Sequence, residues 1–279
     1  MGKIICITGA SSGIGLATAL RFAREGWTVY AGTRHPERDQ SLYKDEKNLQ
    51  FVELEVTEPE SMEQLMRQIS REHGKLDVLF CNAGFGYIRA LGQAPFSDIH
   101  RVFDTNVYGV MHTIRAALPL LTKSRGGHII ATSSVGGLVG QPMNEIYCAS
   151  KFAVEGLLES LATYYKPRFN IDVTLLEPGA VATEFNKTVL DHIADTGGIL
   201  EDEYKPVADA YTAAFLQRNA EPQTAASVAG VMWELVHMET KPLRIRTSER
   251  AEAFAAGKVS NDPTGLDGVL RTRKVMLNM

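Results

Sequence analysis

The stretch Lys3-Ile4-Ile5-Cys6-Ile7-Thr8-Gly9-Ala10-Ser11-Ser12-Gly13-Ile14-Gly15 decides the fold. After Lys3, Ile4–Ile7 form an apolar run of the length and branching expected for a strand covered on both faces. Three glycines follow at G-x-x-x-G-x-G spacing, and a helical pattern opens at Gly13 or Ile14. Glycines permit a tight turn and close backbone approach, while a helix N-terminus offers free N–H donors and positive potential. Strand, glycine turn and helix in this order predict a dinucleotide phosphate site at Gly9, Ser11, Ser12, Gly13, Ile14 and Gly15. The spacing is neither G-x-G-x-x-G nor the lysine-bearing P-loop.

Working outward, the same alternation recurs. Strands are expected at Lys3–Ile7, Thr28–Gly32, Gln50–Leu54, Val78–Cys81, His128–Thr132, Asp172–Glu177 and Leu243–Arg246. Helices are expected at Ile14–Glu25, Ser61–His73, Ile99–Leu121, Tyr147–Tyr165 and Ala225–His237. Thr57-Glu58-Pro59-Glu60 has an early proline and acids near the positive end of the dipole, as at a helix start. Pro167 is expected to stop the longest helix. The pattern predicts one α/β domain over 1–279, a doubly wound parallel sheet of Rossmann type whose ligands bind beyond the carboxyl ends of the strands. Residues 183–222 contain no strand and read as a helical substrate lid, and 247–279 as a C-terminal tail.

Composition narrows the function classes. The formal charge is 29 − 33 = −4, which gives no general attraction to nucleic acid or anionic membrane. Cys6, Cys81 and Cys148 form no CxxC pair, favouring free thiols and a reducing compartment. The seven histidines show no metal-ligand spacing, so no metal is expected. No apolar run approaches the roughly 20 residues of a membrane span, and no signal peptide is evident, so the expected location is cytoplasmic.

Two further sites carry chemistry. Gly32-Thr33-Arg34 closes the second strand, where an acid suits the ribose 2′-OH of NAD and an arginine the 2′-phosphate of NADP. Arg34 therefore points to NADP(H). Tyr147 and Lys151 stand four residues apart, on one helical face. A phenol of pKa about 10 is a poor base near neutrality, and a neighbouring ammonium is expected to lower it. Thirteen residues upstream, at a strand end, Ser134 is placed to hydrogen-bond a substrate oxygen while Tyr147 moves the proton; Ser133 competes for that role.

These motifs, with Cys81-Asn82-Ala83-Gly84, Thr105-Asn106-Val107 and Pro178-Gly179-Ala180-Val181-Ala182-Thr183, stand in the order of the short-chain dehydrogenases/reductases. The chain resembles the compact branch of that family over nearly its whole length. The resemblance implies a Ser134-Tyr147-Lys151 site, with Asn106 holding a water that links Lys151 to solvent. It also implies that Lys151 holds the nicotinamide ribose and that Asn82, Ala83 and Gly84 support the cofactor. Pro178, Gly179, Val181 and Thr183 would flank the nicotinamide. Glu55-Val56 occupies the adenine-pocket position where the family reads Asp-Val, and Cys81 replaces a more usual Asn. Closer similarity is to 17β-hydroxysteroid and photoreceptor-type retinol dehydrogenases, through 134–142, 147–161 and 242–250. The lid between 203 and 220 lacks a histidine, so a steroid-phenol contact does not follow.

The expected reaction is hydride transfer between NADP(H) and a carbonyl or alcohol carbon. Phe185, Val189, Leu190, Ile193, Ile199, Leu200, Tyr204, Val207, Tyr211 and Phe215, with Val139, Pro142 and Met143, either line an apolar pocket or pack lid helices. Gln141, Met143 and Phe185 join Ser134 and Tyr147 as candidate substrate contacts. Alternatives are a reductase of small polar carbonyls, a sugar-nucleotide epimerase or dehydratase, and a non-catalytic NADP-binding sensor or scaffold. The epimerase loop T-G-x-x-G-x-x-G is absent, and a sensor is expected to have lost Tyr147 or Lys151. The family resemblance implies a homodimer or homotetramer through the helices at 99–121 and 147–165.

Overall fold

The computed structural model describes residues 2–218 and 221–277; the side chains of 215–218 and 275–277, Phe215 among them, lie outside the described residues. Strands β1 (Ile4–Ile7), β2 (Thr28–Thr33), β3 (Leu49–Glu53), β4 (Val78–Cys81), β5 (Gly127–Thr132), β6 (Ile171–Glu177) and β9 (Arg244–Arg246) form one sheet. Its order is β3-β2-β1-β4-β5-β6-β9, parallel throughout. The order reverses between β1 and β4, the switch point where such sheets bind ligands. A short parallel ribbon pairs β7 (Val181–Ala182) with β8 (Gln223–Thr224).

The apolar strands divide their side chains between two cores. Ile4, Cys6, Leu79 and Cys81 face α3 (Pro59–His73), α5 (Gly109–Leu121) and α6 (Glu145–Phe169). Ile5, Ile7, Val78 and Phe80 face α1 (Gly13–Arg24) and α9 (Ala225–His237). Period-two alternation inside a wholly apolar run is what a sheet covered on both faces requires. Helix α3 begins with Pro59 and ends at Gly74 in the left-handed region (φ 74°), a glycine stop. The short α2 (Pro36–Leu42) completes the second crossover.

Three expectations are corrected. Pro167 does not end α6, which continues to Phe169 and stops at the left-handed Asn170. Proline lacks the N–H that Thr163 O would otherwise accept, and Arg273 supplies the replacement. Its Nε donates to Thr163 O at 2.8 Å and its Nη2 to Ala162 O at 2.9 Å. The expected helix at 99–121 is interrupted: α4 (Phe96–Phe103) and α5 flank a π-helical turn, Asp104–Tyr108, carrying Asn106. Finally, the segment after 247 is no loose tail. It folds into α10 (Glu249–Val259) and α11 (Leu266–Leu277), and Val269 of α11 joins the core beside α6. The 183–222 segment carries α7 (Glu184–Asp195) and α8 (Lys205–Arg218).

Candidate active site

Beyond the carboxyl ends of β1, β4, β5 and β6 lies a cleft of about 1270 Å³, larger than the roughly 300–1,000 Å³ of a single-ligand pocket. Gly9, Ser11, Ser12, Gly13, Ile14, Arg34, Glu55, Val56, Asn82, Ala83, Gly84, Pro178, Gly179, Val181 and Thr183 line it. Gly15 lies behind the loop. A Cβ there would stand 2.3 Å from Gly9 O and 2.6 Å from Asn82 Nδ2, and one on Gly9 (φ 64°) would stand 2.7 Å from Ala83 Cα. These contacts bring the β1 turn against the β4 turn, so that main chain rather than side chain faces the cleft. Ser12 takes the N-cap position of α1 without a side-chain cap bond, and the first turn carries no acid. Its leading N–H groups thus keep their affinity for an anion.

Polar bonds lock this cradle. Asn82 Nδ2 donates to Gly9 O (2.9 Å), Thr132 Oγ1 donates to Asn82 Oδ1 (3.1 Å), and Thr8 Oγ1 accepts from Asn82 N and Ala83 N (3.0 Å each). One asparagine therefore ties the ends of β1, β4 and β5 together. Arg34 is exposed at the cleft rim and makes no hydrogen bond or ion pair among the described residues. Thr33 and the buried Asp39 of α2 hold the loop beneath it through a 2.5 Å hydrogen bond. Glu55 bonds Thr57 N and Oγ1, a local turn, while Val56 packs over Gly109. The residues present fit a dinucleotide: a cradle with no room for Cβ atoms and open helix N–H groups, with an unengaged guanidinium at the rim.

Ser134, Tyr147 and Lys151 meet in this cleft. Ser134 Oγ accepts from Gly136 N at 3.0 Å and approaches the Tyr147 ring across Gly136. A Cβ on Gly136 would lie 3.3 Å from both Gln141 Nε2 and Tyr147 Cε1, and 3.4 Å from Ser134 Oγ, so glycine leaves room for this convergence. Ser133 also lines the cleft. Its hydroxyl lies against the opposite side, 2.5 Å from where a Cβ of Gly137 would be, near Glu155.

Lys151 is 4% exposed; its Nζ donates to Thr132 O at 2.8 Å and lies 5.7 Å from the centre of the Tyr147 ring. Burial pulls its ammonium from 10.5 down to about 8, with the Glu155 charge opposing. Burial likewise pushes the Tyr147 phenol up to about 12, and the Ser134 hydrogen bond draws it partly back. The expected lowering by Lys151 is thus not met by the protein's own groups, because desolvation dominates and Nζ is bonded to Thr132 O. Asn106 is 1% exposed and does not line the cleft. Its side-chain amide bonds Phe85 N and O and Ser150 Oγ at 3.0–3.1 Å, fixing the loop after β4. Gly84 leaves the space between Asn106 Oδ1 and Lys151 Nζ open, its missing Cβ lying 3.0 and 3.5 Å from them.

At the substrate end, Gln141, Phe185, Val189 and Tyr211 line the cleft, and the Phe185 ring meets Tyr147 edge-on at 5.9 Å. Met143 does not. It is buried with Ala90, Ala208 and Tyr211, and its left-handed backbone (φ 61°) aims Asn144 at Tyr211 instead. Val139 packs near Ala255 and Val259, while Leu190, Ile199 and Val207 are exposed. The sequence reading missed Thr132 as the lysine's acceptor, Asn144, and the buried Arg89. Arg89 binds the carbonyls of Gly198, Ile193 and Thr196 and so anchors the end of α7. A solitary arginine in a sequence gives no sign that it will be buried.

Fold and site together define a dinucleotide-binding oxidoreductase. The model of the short chain dehydrogenase family matches residues 3–194, and the chain belongs to that family. It is 36% identical over 275 residues to retinol dehydrogenase 8 of Bos taurus (94% of this chain, 86% of the relative). Over the same length it is 33% identical to estradiol 17-beta-dehydrogenase 1 of Rattus norvegicus (94% and 78%). Among solved structures, a short-chain dehydrogenase from Streptomyces avermitilis superposes with TM-score 0.78 at 26% identity, covering 99% of this chain and 98% of that one. ElxO with NADP bound (TM-score 0.72, 27% identity, 88% and 98% covered) is similar. So is a short-chain dehydrogenase/reductase from Burkholderia phymatum in complex with NAD (0.75, 26%, 99% and 95%). Solved relatives thus carry either nicotinamide cofactor. Among the described residues no helix is long and apolar enough to cross a membrane, and no cluster of metal-ligating side chains occurs.

Proposed function

We propose that this oxidoreductase uses NADP(H) to interconvert a carbonyl and an alcohol on a lipophilic molecule, with Tyr147 as the acid–base residue. The observation that carries the reading is the convergence of Ser134 and Tyr147 across Gly136 in a cleft whose floor holds the buried Lys151. NADP(H) held by the Gly9–Gly15 loop, Asn82–Gly84 and the 178–183 segment supplies the hydride, and Arg34 takes the 2′-phosphate. Ser134 and Tyr147 hold the substrate oxygen, and Tyr147 gives up its proton as negative charge develops there. A phenol held protonated by burial is poised to donate, which supports reduction as the direction favoured by the protein's own groups near neutrality. Lys151 orients the ribose, and its ammonium stabilises the phenolate that forms. Lys151 and Asn106 mark the proton's route back to solvent.

A lipophilic substrate is supported by Phe185, Val189, Ile88 and Tyr211 on the cleft wall and by relatives named for retinol and estradiol. A second reading, a small polar carbonyl, draws on Asn186, Thr188, His192 and Asp195 lining the same wall. Free buried cysteines support a reducing compartment such as the cytoplasm. Half-exposed Tyr108 and Phe152, on the π turn beside α5 and on α6, support a homodimer or homotetramer.

Tyr147→Phe tests the chemistry: turnover should fall at least 100-fold while NADPH still binds, and near-wild-type kcat would overturn the mechanism. NADPH oxidation profiled over retinoids, steroids and small polar aldehydes tests the substrate class. Activity confined to the polar aldehydes would favour the second reading.

A further inference from the structure

Behind the catalytic lysine lies a buried cluster that the mechanism does not use. Glu155 (5% exposed) stands one turn beyond Lys151 on α6, and Glu177 (0%) ends β6 immediately before Pro178. Arg244 Nε on β9 reaches Glu155 Oε2 at 2.9 Å and Glu177 Oε1 at 3.5 Å; Arg246 Nη1 reaches Glu177 Oε2 at 3.1 Å. Half-exposed Glu159 on α6 and Glu252 on α10 take the outer faces of the same arginines. With Lys151, these are the charged groups that face the pair.

Two atoms stand out. Glu155 Oε1 and Glu177 Oε1 are both buried without a hydrogen-bond partner, although one guanidinium nitrogen, Arg244 Nε, reaches both carboxyls and draws them together. Carboxylates only accept, so two ionised groups on one arginine leave both oxygens unpartnered, whereas one proton between them satisfies both. Ser133 Oγ, also buried without a partner, lies against Gly137 beside the Glu155 stem.

We propose that Glu155 and Glu177 share a single proton, and that the one remaining negative charge, kept a helical turn from Lys151, makes Glu155 a positioning residue that sets the alkaline limit of the reaction. Burial raises both carboxyls, and the Glu155 charge raises Glu177 further, which agrees with one proton being retained near neutrality. The Glu155 charge is also what opposes the fall of the Lys151 ammonium. The pair joins the ends of β5, α6 and β6 from behind, the three segments that carry Ser134, Lys151 and Pro178. Its effect on turnover rests on the function proposed above; its proton count does not.

Infrared difference spectra between pH 6 and pH 10 test the proton. The wild type should show the carbonyl band of a buried protonated carboxyl, absent from Glu155→Gln and from Glu177→Gln, where the amide donates instead. A wild type without that band overturns the proposal. In the pH profile of kcat/KM, Glu155→Gln moves the charge away from Lys151, and the alkaline limb should fall by about one pH unit. Glu177→Gln fixes the charge on Glu155 and should leave that limb in place or raise it. If both variants lower activity equally at every pH, the role is structural and the coupling to Lys151 is refuted. If Tyr147→Phe stays active while the band behaves as expected, the proposed chemistry fails and the shared proton stands.

Discussion

Lys151→Met should make the protein more stable while removing its activity. The buried ammonium sits at about 8 against an ordinary 10.5, and each pH unit is worth about 1.4 kcal/mol. Keeping it charged in the fold therefore costs roughly 3 kcal/mol wherever both folded and unfolded lysines are protonated. The folded value is depressed, so the unfolded chain binds the proton more tightly. The penalty is complete below about pH 8, shrinks as pH rises, and is gone above the ordinary value of 10.5. Methionine keeps most of the stem but abandons the Thr132 carbonyl, which forfeits about 1 kcal/mol. The net gain near pH 7 is about 2 kcal/mol, roughly 3 °C in Tm for a chain of this size. Thermal unfolding of both proteins from pH 6 to pH 10.5 measures it. The difference should close and then reverse by about pH 10.5, as the wild type gains stability. A variant less stable than wild type at pH 7, or a Tm difference that ignores pH, would refute the reasoning.

Four further outcomes are expected. Arg34→Ala should weaken NADPH by roughly 10- to 100-fold and leave NADH nearly unchanged, because one charge-assisted contact is lost; equal losses in fluorescence titrations would remove the 2′-phosphate assignment. Gly15→Ala forces a Cβ to within 2.3 Å of Gly9 O and should cost about 2 kcal/mol of stability and at least 10-fold in cofactor affinity. Gly156→Ala, with nothing within 4 Å, should be neutral to stabilising by up to about 1 kcal/mol, and thermal melts compare the two. Arg273→Leu uncovers the carbonyls of Thr163 and Ala162 and should lower stability by about 1–2 kcal/mol without changing kcat at 25 °C; an unchanged Tm would mean water caps them as well.

The sequence by itself determined the seven strands of the main sheet to within a residue at their ends, though not the short β7–β8 ribbon. Apolar β-branched runs, a glycine turn after the first of them and helical periodicity between them are local signals that no distant contact overrides. The same locality made Tyr147 and Lys151 legible, since one helical turn is the only geometry their spacing needs. What pairs across the chain was not legible. Pro167 looked like a helix stop because a proline removes a donor, and only the fold brings Arg273, more than a hundred residues later, to replace it. Met143 and Val139 looked like pocket walls, yet each found an apolar neighbour to pack against before reaching the cleft. That Ser134 rather than Ser133 stands beside Tyr147 is likewise tertiary, because Ser133 lies against Gly137 while Gly136 leaves room for Ser134 and the tyrosine ring to approach. The state of the phenol was tertiary too: spacing places a lysine beside a tyrosine, but burial, which depends on everything packed around them, decides where both protons sit.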